Sequence, residues 1–297
     1  MRSYDIAFIG HMCFDEMVPF DAAPYTSPGS AVWCGAFAAA GVGKRVLVVT
    51  RMNPGDEDIL RPMRDAGIDV HLVPAEQTSR IQVVHPCADV DVRELVLRHN
   101  AGFFQPEDVP EIDAQRVHLA GISDREFTLD FMAALRARGY ALSVDMQSFV
   151  RQADPVTGQV TFGDVSHKTD IVSLMDRVKL DIVEARLLTG KDDLEQAAMQ
   201  FEAWGSEETL VTAADGVLAR AGAKTWFERF SNCSVAGRTG RGDTTFAGYL
   251  ARRLDHDVPT SLRFAAALVS IKMETPGPFK GTLEDVLTRL RESHSPA

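Results

Sequence analysis

Gly237-Arg238-Thr239-Gly240-Arg241-Gly242-Asp243-Thr244-Thr245-Phe246-Ala247-Gly248-Tyr249-Leu250-Ala251 is the most informative stretch of the sequence. Gly240 and Gly242 flank a single residue, which lets the backbone turn tightly, and the small residues after Asp243 have helical spacing and run into Arg252-Arg253-Leu254. A turn that opens directly into a helix brings the N–H groups of Gly240, Arg241, Gly242 and Asp243 together at the helix start, where the dipole also favours negative charge. Such an anion hole suits the charge that builds on a transferring phosphoryl group. A carboxylate at the same helix start can take the proton of a hydroxyl held beside the hole, so Asp243 reads as a general base within one turn of the phosphoryl site. The local alternative makes Asp243 an N-cap and the glycines an ordinary tight turn. The rest of the chain decides between them.

Outward from this segment, apolar runs alternate with helical patterns. Residues 6–10, 45–50, 117–120, 141–144, 171–174, 180–183 and 209–212 read as buried strands, while 124–139 and 194–205 have the length and apolar spacing of helices. The alternation predicts an α/β fold: a three-layer α/β/α sandwich with a mostly parallel central sheet. Between about Val70 and Leu97 the rhythm breaks into strand-like pieces such as Ile81–Val84 and Leu95–Leu97, with no helix between them. Together with Phe14–Val18 they predict a small β-sheet lid, built from about 12–26 and 70–100, on a single domain of residues 1–297.

Composition narrows the function classes. Of 297 residues, 45% are apolar and 25% charged, and no stretch is long enough to span a bilayer, so no membrane role is expected. The short run Ile6-Ala7-Phe8-Ile9 lacks the length and flanks of a signal peptide, and a cytoplasmic location is expected. A net charge of −11 makes the average surface repel phosphate backbones, which counts against nucleic acid as the main partner. Cys13, Cys34, Cys87 and Cys233 form no CxxC pair and read as reduced core thiols.

The segment from 237 to 251 resembles the C-terminal signature of the ribokinase-like (PfkB) carbohydrate kinases, usually Asp-Thr-x-Gly-Ala-Gly-Asp before a small-residue helix. The resemblance implies that Asp243 is the catalytic base and that Gly240, Arg241 and Gly242 form the anion hole, with Thr239 beside the nucleotide. Gly237 and Arg238 replace the Asp-Thr pair that in relatives helps hold an activating monovalent cation, which leaves potassium activation open. Gly29-Ser30-Ala31-Val32-Trp33-Cys34 resembles the family's Gly-Gly-Ala-x-x-Asn substrate motif, with Ser30 and Cys34 in place of a Gly and the Asn. Asp15 stands where relatives carry an acidic residue that accepts from substrate hydroxyls, a role suited to a polyol.

Asp181-Ile182-Val183-Glu184 resembles the Asn-x-x-Glu segment, whose Glu organises magnesium near the phosphates. On local grounds both carboxylates serve equally well as first-turn helix features. Thr212-Ala213-Ala214-Asp215-Gly216 resembles the loop that borders the nucleotide, and Gly277, after Ala265–Met273, the loop that flanks the adenine. The resemblance thus implies ATP and Mg2+ as cofactors.

Substrate selection is expected from Asp15, Gly29, Ser30, Cys34, Arg80, Gln147 and Arg151. Residues 143–151, Ser-Val-Asp-Met-Gln-Ser-Phe-Val-Arg, are similar to the Asp-x-Gln-x-x-x-Arg segment of the family's inositol kinases, as is Pro276-Gly277-Pro278-Phe279. A small sugar or cyclic polyol is therefore the expected acceptor. A nucleoside acceptor, with Trp33, Phe14 or Phe37 as stacking platform, or a ligand-binding homologue without turnover, is the alternative. Pairing of two chains through the lid is left open. Three decoys fail: Gly41-Val42-Gly43-Lys44-Arg45 lacks two P-loop positions, no GxGxxG follows the first strand, and His11-x-Cys13 has no further metal-ligand cluster.

Overall fold

A computed structural model describes residues 3–88 and 92–292. The chain begins with β1 (Ser3–Ile9), β2 (Cys13–Val18), β3 (Tyr25–Gly29), α1 (Ala31–Gly41) and β4 (Val46–Met52), and a short 3-10 helix then leads into α2 (Arg61–Asp65). β5 (Asp69–Pro74), β6 (Ser79–Val84), β7 (Glu94–His99) and β8 (Asp113–Leu119) precede α3 (Leu129–Ala137), β9 (Leu142–Asp145) and α4 (Gln147–Val150). A hairpin of β10 (Arg151–Ala153) and β11 (Gln159–Phe162) closes the first half. The second half runs through α5 (Lys168–Ser173), β12 (Arg177–Asp181), α6 (Ile182–Thr189), α7 (Leu194–Ala203), β13 (Glu208–Thr212), β14 (Gly216–Ala221) and β15 (Lys224–Arg229). It ends with α8 (Arg241–Arg252), α9 (Val258–Met273) and α10 (Leu283–Glu292).

The large sheet has the order β15-β14-β13-β12-β9-β8-β1-β4-β5, all parallel from β13 to β5 and antiparallel at β14 and β15. Period-two alternation in β1 sends Ile6 and Phe8 into one core with α1, α8 and α9, and Ala7 and Ile9 into the opposite core with α3, α6 and α7. Both faces are thus covered, as an all-apolar parallel strand requires, and the three-layer α/β/α architecture follows.

A second sheet, β10-β11-β7-β6-β2-β3, is antiparallel except for the β2–β6 pair. Its inner face buries Cys13, Ile81, Leu95, Leu97, Ala153 and Val160 around Ile122. Where the chain crosses between the sheets, His11 is fully buried: the Ser79 hydroxyl donates to its Nδ1 and its Nε2–H donates to the Gly102 carbonyl, each at 2.9 Å. Its backbone N–H donates to Glu126 at 2.8 Å. Burial lowers the His11 pKa, and both ring nitrogens are engaged by protein partners.

Four sequence readings shift. Residues 171–174 are not a strand: Ile171 and Val172 are the buried side of α5, and a four-residue apolar run cannot distinguish a buried strand from one helical turn. Val70–Pro74 belongs to β5 of the large sheet rather than to the lid, because it pairs with β4. The hairpin β10–β11, absent from the expected 12–26 and 70–100, completes the second sheet. The β12 strand stops at Asp181 instead of 183, because Asp181 caps α6. Of the expected lid, residues 89–91 lie outside the described residues, as does the tail from 293.

Candidate active site

The helix α8 begins as its sequence demands. Gly240 is left-handed (φ 78°) as its N-cap, and a Cβ there would collide with Cys34 Sγ, so only glycine fits between α1 and α8. Gly242 is constrained in the same way, since a Cβ would stand 2.5 Å from Lys179 Nζ. The Arg241 N–H closes a turn onto the Arg238 carbonyl at 3.1 Å, which corrects the expectation that all four amides of the loop face a ligand. Gly242 and Asp243 lie in the first helical turn, whose N–H groups have no intrahelical acceptor.

Asp243 is partly exposed, and its Oδ1 accepts from Gln147 Nε2 at 3.2 Å. Gln147 itself is buried, with Nε2 also donating to the Gly121 carbonyl at 3.0 Å and its backbone N–H donating to Asp145 at 3.1 Å. Beneath lies an ion pair, Lys179 Nζ to Asp145 at 2.8 Å, with both side chains under 5% exposed. Burial alone would lower the Lys179 pKa, but the carboxylates of Asp145, Glu184, Asp243 and Asp181 raise it, so the ammonium is permanent. A fixed cation under the start of α8 adds to the positive field of the helix terminus.

Asp15 reaches the same place from the second sheet. Its carboxylate lies over the Cα of Gly29, where any side chain would displace it. Burial pushes it up to about 7, with the Asp243 charge adding to the shift while Cys13 and Arg151 oppose it. Arg151 lies close enough to act on both Asp15 and Glu184, and its Nε is buried with no hydrogen-bond partner among the described residues. A buried donor in that state calls for an acceptor. Ser30 caps α1 by accepting from the Trp33 N–H at 3.2 Å, at φ 127° and ψ 168°, backbone space that belongs to glycine. Cys34 is buried against Gly240, and burial followed by the Asp243 charge pushes its thiol up to about 12, which makes it inert packing.

Asp181 and Glu184 form a reciprocal capping box at α6: Asp181 Oδ1 accepts from the Val183 and Glu184 N–H groups, and Glu184 Oε2 accepts from the Asp181 N–H at 2.7 Å. Burial, then the Asp181 charge, pushes Glu184 up to about 8 against the pull of Lys179. The capping box takes one oxygen of each carboxylate, and no cluster of three or more His, Cys, Asp or Glu ligands occurs among the described residues. Such a sparse set fits magnesium held largely by water and phosphate oxygens.

Thr212 is buried at the end of β13, where the Ala213 N–H closes a tight turn onto the Gly216 carbonyl at 2.9 Å. Arg241 reaches toward that turn, 3.5 Å from the Ala214 carbonyl and 5.9 Å from the Phe230 ring centre. Thr239 and Gly277 (φ 90°) are exposed on the loops near α8 and α9. Arg80 is not brought to the site: its guanidinium stacks 4.5 Å from the Phe14 ring and pairs with Glu16 at 3.3 Å. In the β2–β6 pair, Arg80 stands opposite Phe14 whereas Asp15 stands opposite Ile81, so strand alternation puts Arg80 on the other face.

Sequence reading placed Asp145 in the Asp-x-Gln-x-x-x-Arg segment without giving it a role, and missed Lys179 and Lys272. The last, in α9, donates from Nζ to the carbonyls of Gly237 and Thr239. The available signal was a lysine inside an otherwise apolar strand or helix.

Comparison with known proteins places the fold among kinases. A solved pyrophosphate-dependent kinase of the ribokinase family, complexed with a pyrophosphate analog and myo-inositol, is 30% identical and superposes with a TM-score of 0.87 over 95% of this chain and 99% of its own. Ribokinase of Arabidopsis thaliana, complexed with ribose and ATP, shares the fold at 18% identity and a TM-score of 0.77, covering 98% of this chain and 99% of its own. Cytidine kinase of Thermococcus kodakarensis is 24% identical over 258 residues, 83% of this chain and 87% of that protein. The profile of the pfkB family carbohydrate kinases matches residues 26–284, a span that takes in α1, the β12–α6 junction and the Gly240–Asp243 turn, and the chain accordingly belongs to that family of phosphotransferases acting on hydroxyl groups.

Proposed function

We propose that this chain transfers a phosphoryl group from inorganic pyrophosphate to a hydroxyl of a cyclic polyol of the myo-inositol kind, with Asp243 as the base. The observation that carries the reading is the meeting of Asp243, Gln147, Asp15 and Arg151 in front of the α8 start. Asp15 accepts from acceptor hydroxyls and Arg151 donates to them, a pattern that rewards a ring with several adjacent hydroxyls. Asp243 takes the proton of the attacking hydroxyl; the new P–O bond forms as the bridging P–O bond breaks, and the charge on the transferring group falls on the Gly240 and Gly242 amides. Glu184 and Asp181 are the residues that would hold magnesium, which when bound would screen charge on the donor oxygens. The second sheet acts as a lid that keeps water from the donor.

ATP was the donor implied by sequence, and the Thr212–Gly216 turn and Gly277 are the loops that resemblance assigns to a nucleotide. Arg241 reaches across toward that same turn and toward Phe230. A guanidinium there suits the end of a small polyanion better than an adenine-bearing chain. The relative at 30% identity, described as pyrophosphate-dependent, supports the same donor.

The deciding experiment incubates purified protein and magnesium with myo-inositol, ribose, fructose or cytidine, each with pyrophosphate or ATP, and follows sugar phosphate by mass spectrometry. Phosphorylated inositol formed faster from pyrophosphate is the expected result. Transfer from ATP alone would remove the donor assignment, and transfer only to cytidine the polyol one.

A further inference from the structure

Lys272 lies in α9 with 1% of its surface exposed, and its ammonium donates to the carbonyls of Gly237 and Thr239, the residues that lead into Gly240. The loop is tied to α9 a second time, because the Gly237 N–H donates to the Met273 carbonyl at 2.8 Å. No side chain could stand at 237, where a Cβ would run into the carbonyls of Thr275 and Lys272. An ammonium taken out of water must have its hydrogens accepted, and here the loop backbone accepts two of them. Carbonyl oxygens converging on one positive charge are also how a backbone holds a desolvated monovalent metal ion. Ammonium and ion are therefore alternative occupants of one position.

We propose that Lys272 is the positioning residue of the anion hole: bonded to the Gly237 and Thr239 carbonyls, it holds the 237–240 loop in the shape that aims the Gly240 and Gly242 amides, and makes a free monovalent cation unnecessary. The proposal rests on the phosphotransfer reading. The Asp243 and Cys34 side chains lie within electrostatic reach of the ammonium, so the loop and the base share one fixed charge. Burial lowers the Lys272 pKa, yet the Asp243 charge favours the ammonium.

The test compares the wild-type chain with Lys272→Met, which keeps the apolar stem. Amide hydrogen exchange across 237–243 should accelerate by about tenfold or more in the variant, with β1 unchanged. The kcat should fall by about tenfold or more while the acceptor KM moves less than about threefold. Lys272→Ala should regain part of its rate from added ammonium or potassium ions, for which the shortened side chain leaves room. Wild-type turnover should be the same in potassium, sodium and tetramethylammonium buffers, a measurement that stands even if the variants do not fold. Unchanged exchange at 237–243, or a wild-type requirement for potassium, overturns the proposal. A wild-type chain that transfers no phosphate from any donor defeats the phosphotransfer reading instead, and exchange still decides the positioning role.

Discussion

Asp243 has to remain a proton acceptor among other acids, and its neighbours divide that task. Gln147 fixes one carboxylate oxygen without contributing charge, and the Lys179 ammonium offsets Asp145 below. Asp243→Asn keeps the shape and removes the basicity, so kcat should fall by about a hundredfold or more with little change in acceptor KM. Steady-state kinetics showing wild-type turnover in that variant would end the assignment. Asp15 makes a prediction about pH. Its folded pKa of about 7 lies above the ordinary 3.8, so its contribution to stability is fully present below about pH 4 and is lost as pH rises through 7. Asp15→Asn should therefore match the wild type in thermal unfolding near pH 4 and exceed it by several degrees, roughly 5 °C, at pH 8. The hydroxyl-accepting form is the ionised one, so the wild-type acceptor KM should rise as pH falls below 7. A parallel pH dependence of melting in the two proteins would show that folding does not raise the Asp15 pKa.

Three helix termini meet where the chemistry is placed, and they differ in how plainly the sequence announced them. The α8 start was legible because its Gly-x-Gly-Asp spacing is local: the turn, the left-handed Gly240 and the carboxylate in the first helical turn are consequences of neighbouring residues. The same holds for Asp181 and Glu184, where the local reading as a helix cap describes the geometry. Lys179 and Lys272 were not legible, because their partners lie 34 residues away at Asp145 and 33 to 35 away at Thr239 and Gly237. A lysine in an apolar run carries no local sign of what it will meet. Arg80 was misplaced for a related reason: period two in a strand fixes which residues share a face, but not which face looks inward. At the α1 start, Ser30 holds backbone angles that cost of order 1–3 kcal/mol for a residue with a Cβ, while glycine as a cap gives up only a few tenths. Ser30→Gly should thus stabilise the protein by about 1 kcal/mol and raise Tm by roughly 2–4 °C. A lowered Tm would mean that the Ser30 cap outweighs the strain.

Across the whole molecule, the three layers depend on joints remote from the site. Glu208, at the far end of β13, accepts from Arg177, Arg253 and Tyr249 between 2.6 and 3.2 Å. It joins the large sheet to α8 through Tyr249 and Arg253. Burial alone would raise its pKa, but the two guanidinium groups and the phenol hold it at about 2, below the ordinary 4.5. Its contribution is present above pH 4.5 and lost as pH falls through 2. Glu208→Gln should cost about 3 kcal/mol at neutral pH, seen in denaturant titrations, and the gap to wild type should shrink toward pH 2. A gap that stays constant to pH 2 would assign the loss to shape rather than charge.

Only three residues separate Gln147, which grips the base, from Arg151, which opens the hairpin at the edge of the second sheet. A segment that short is a stiff link, so the edge of the outer sheet and the amide that steadies Asp243 share one piece of chain.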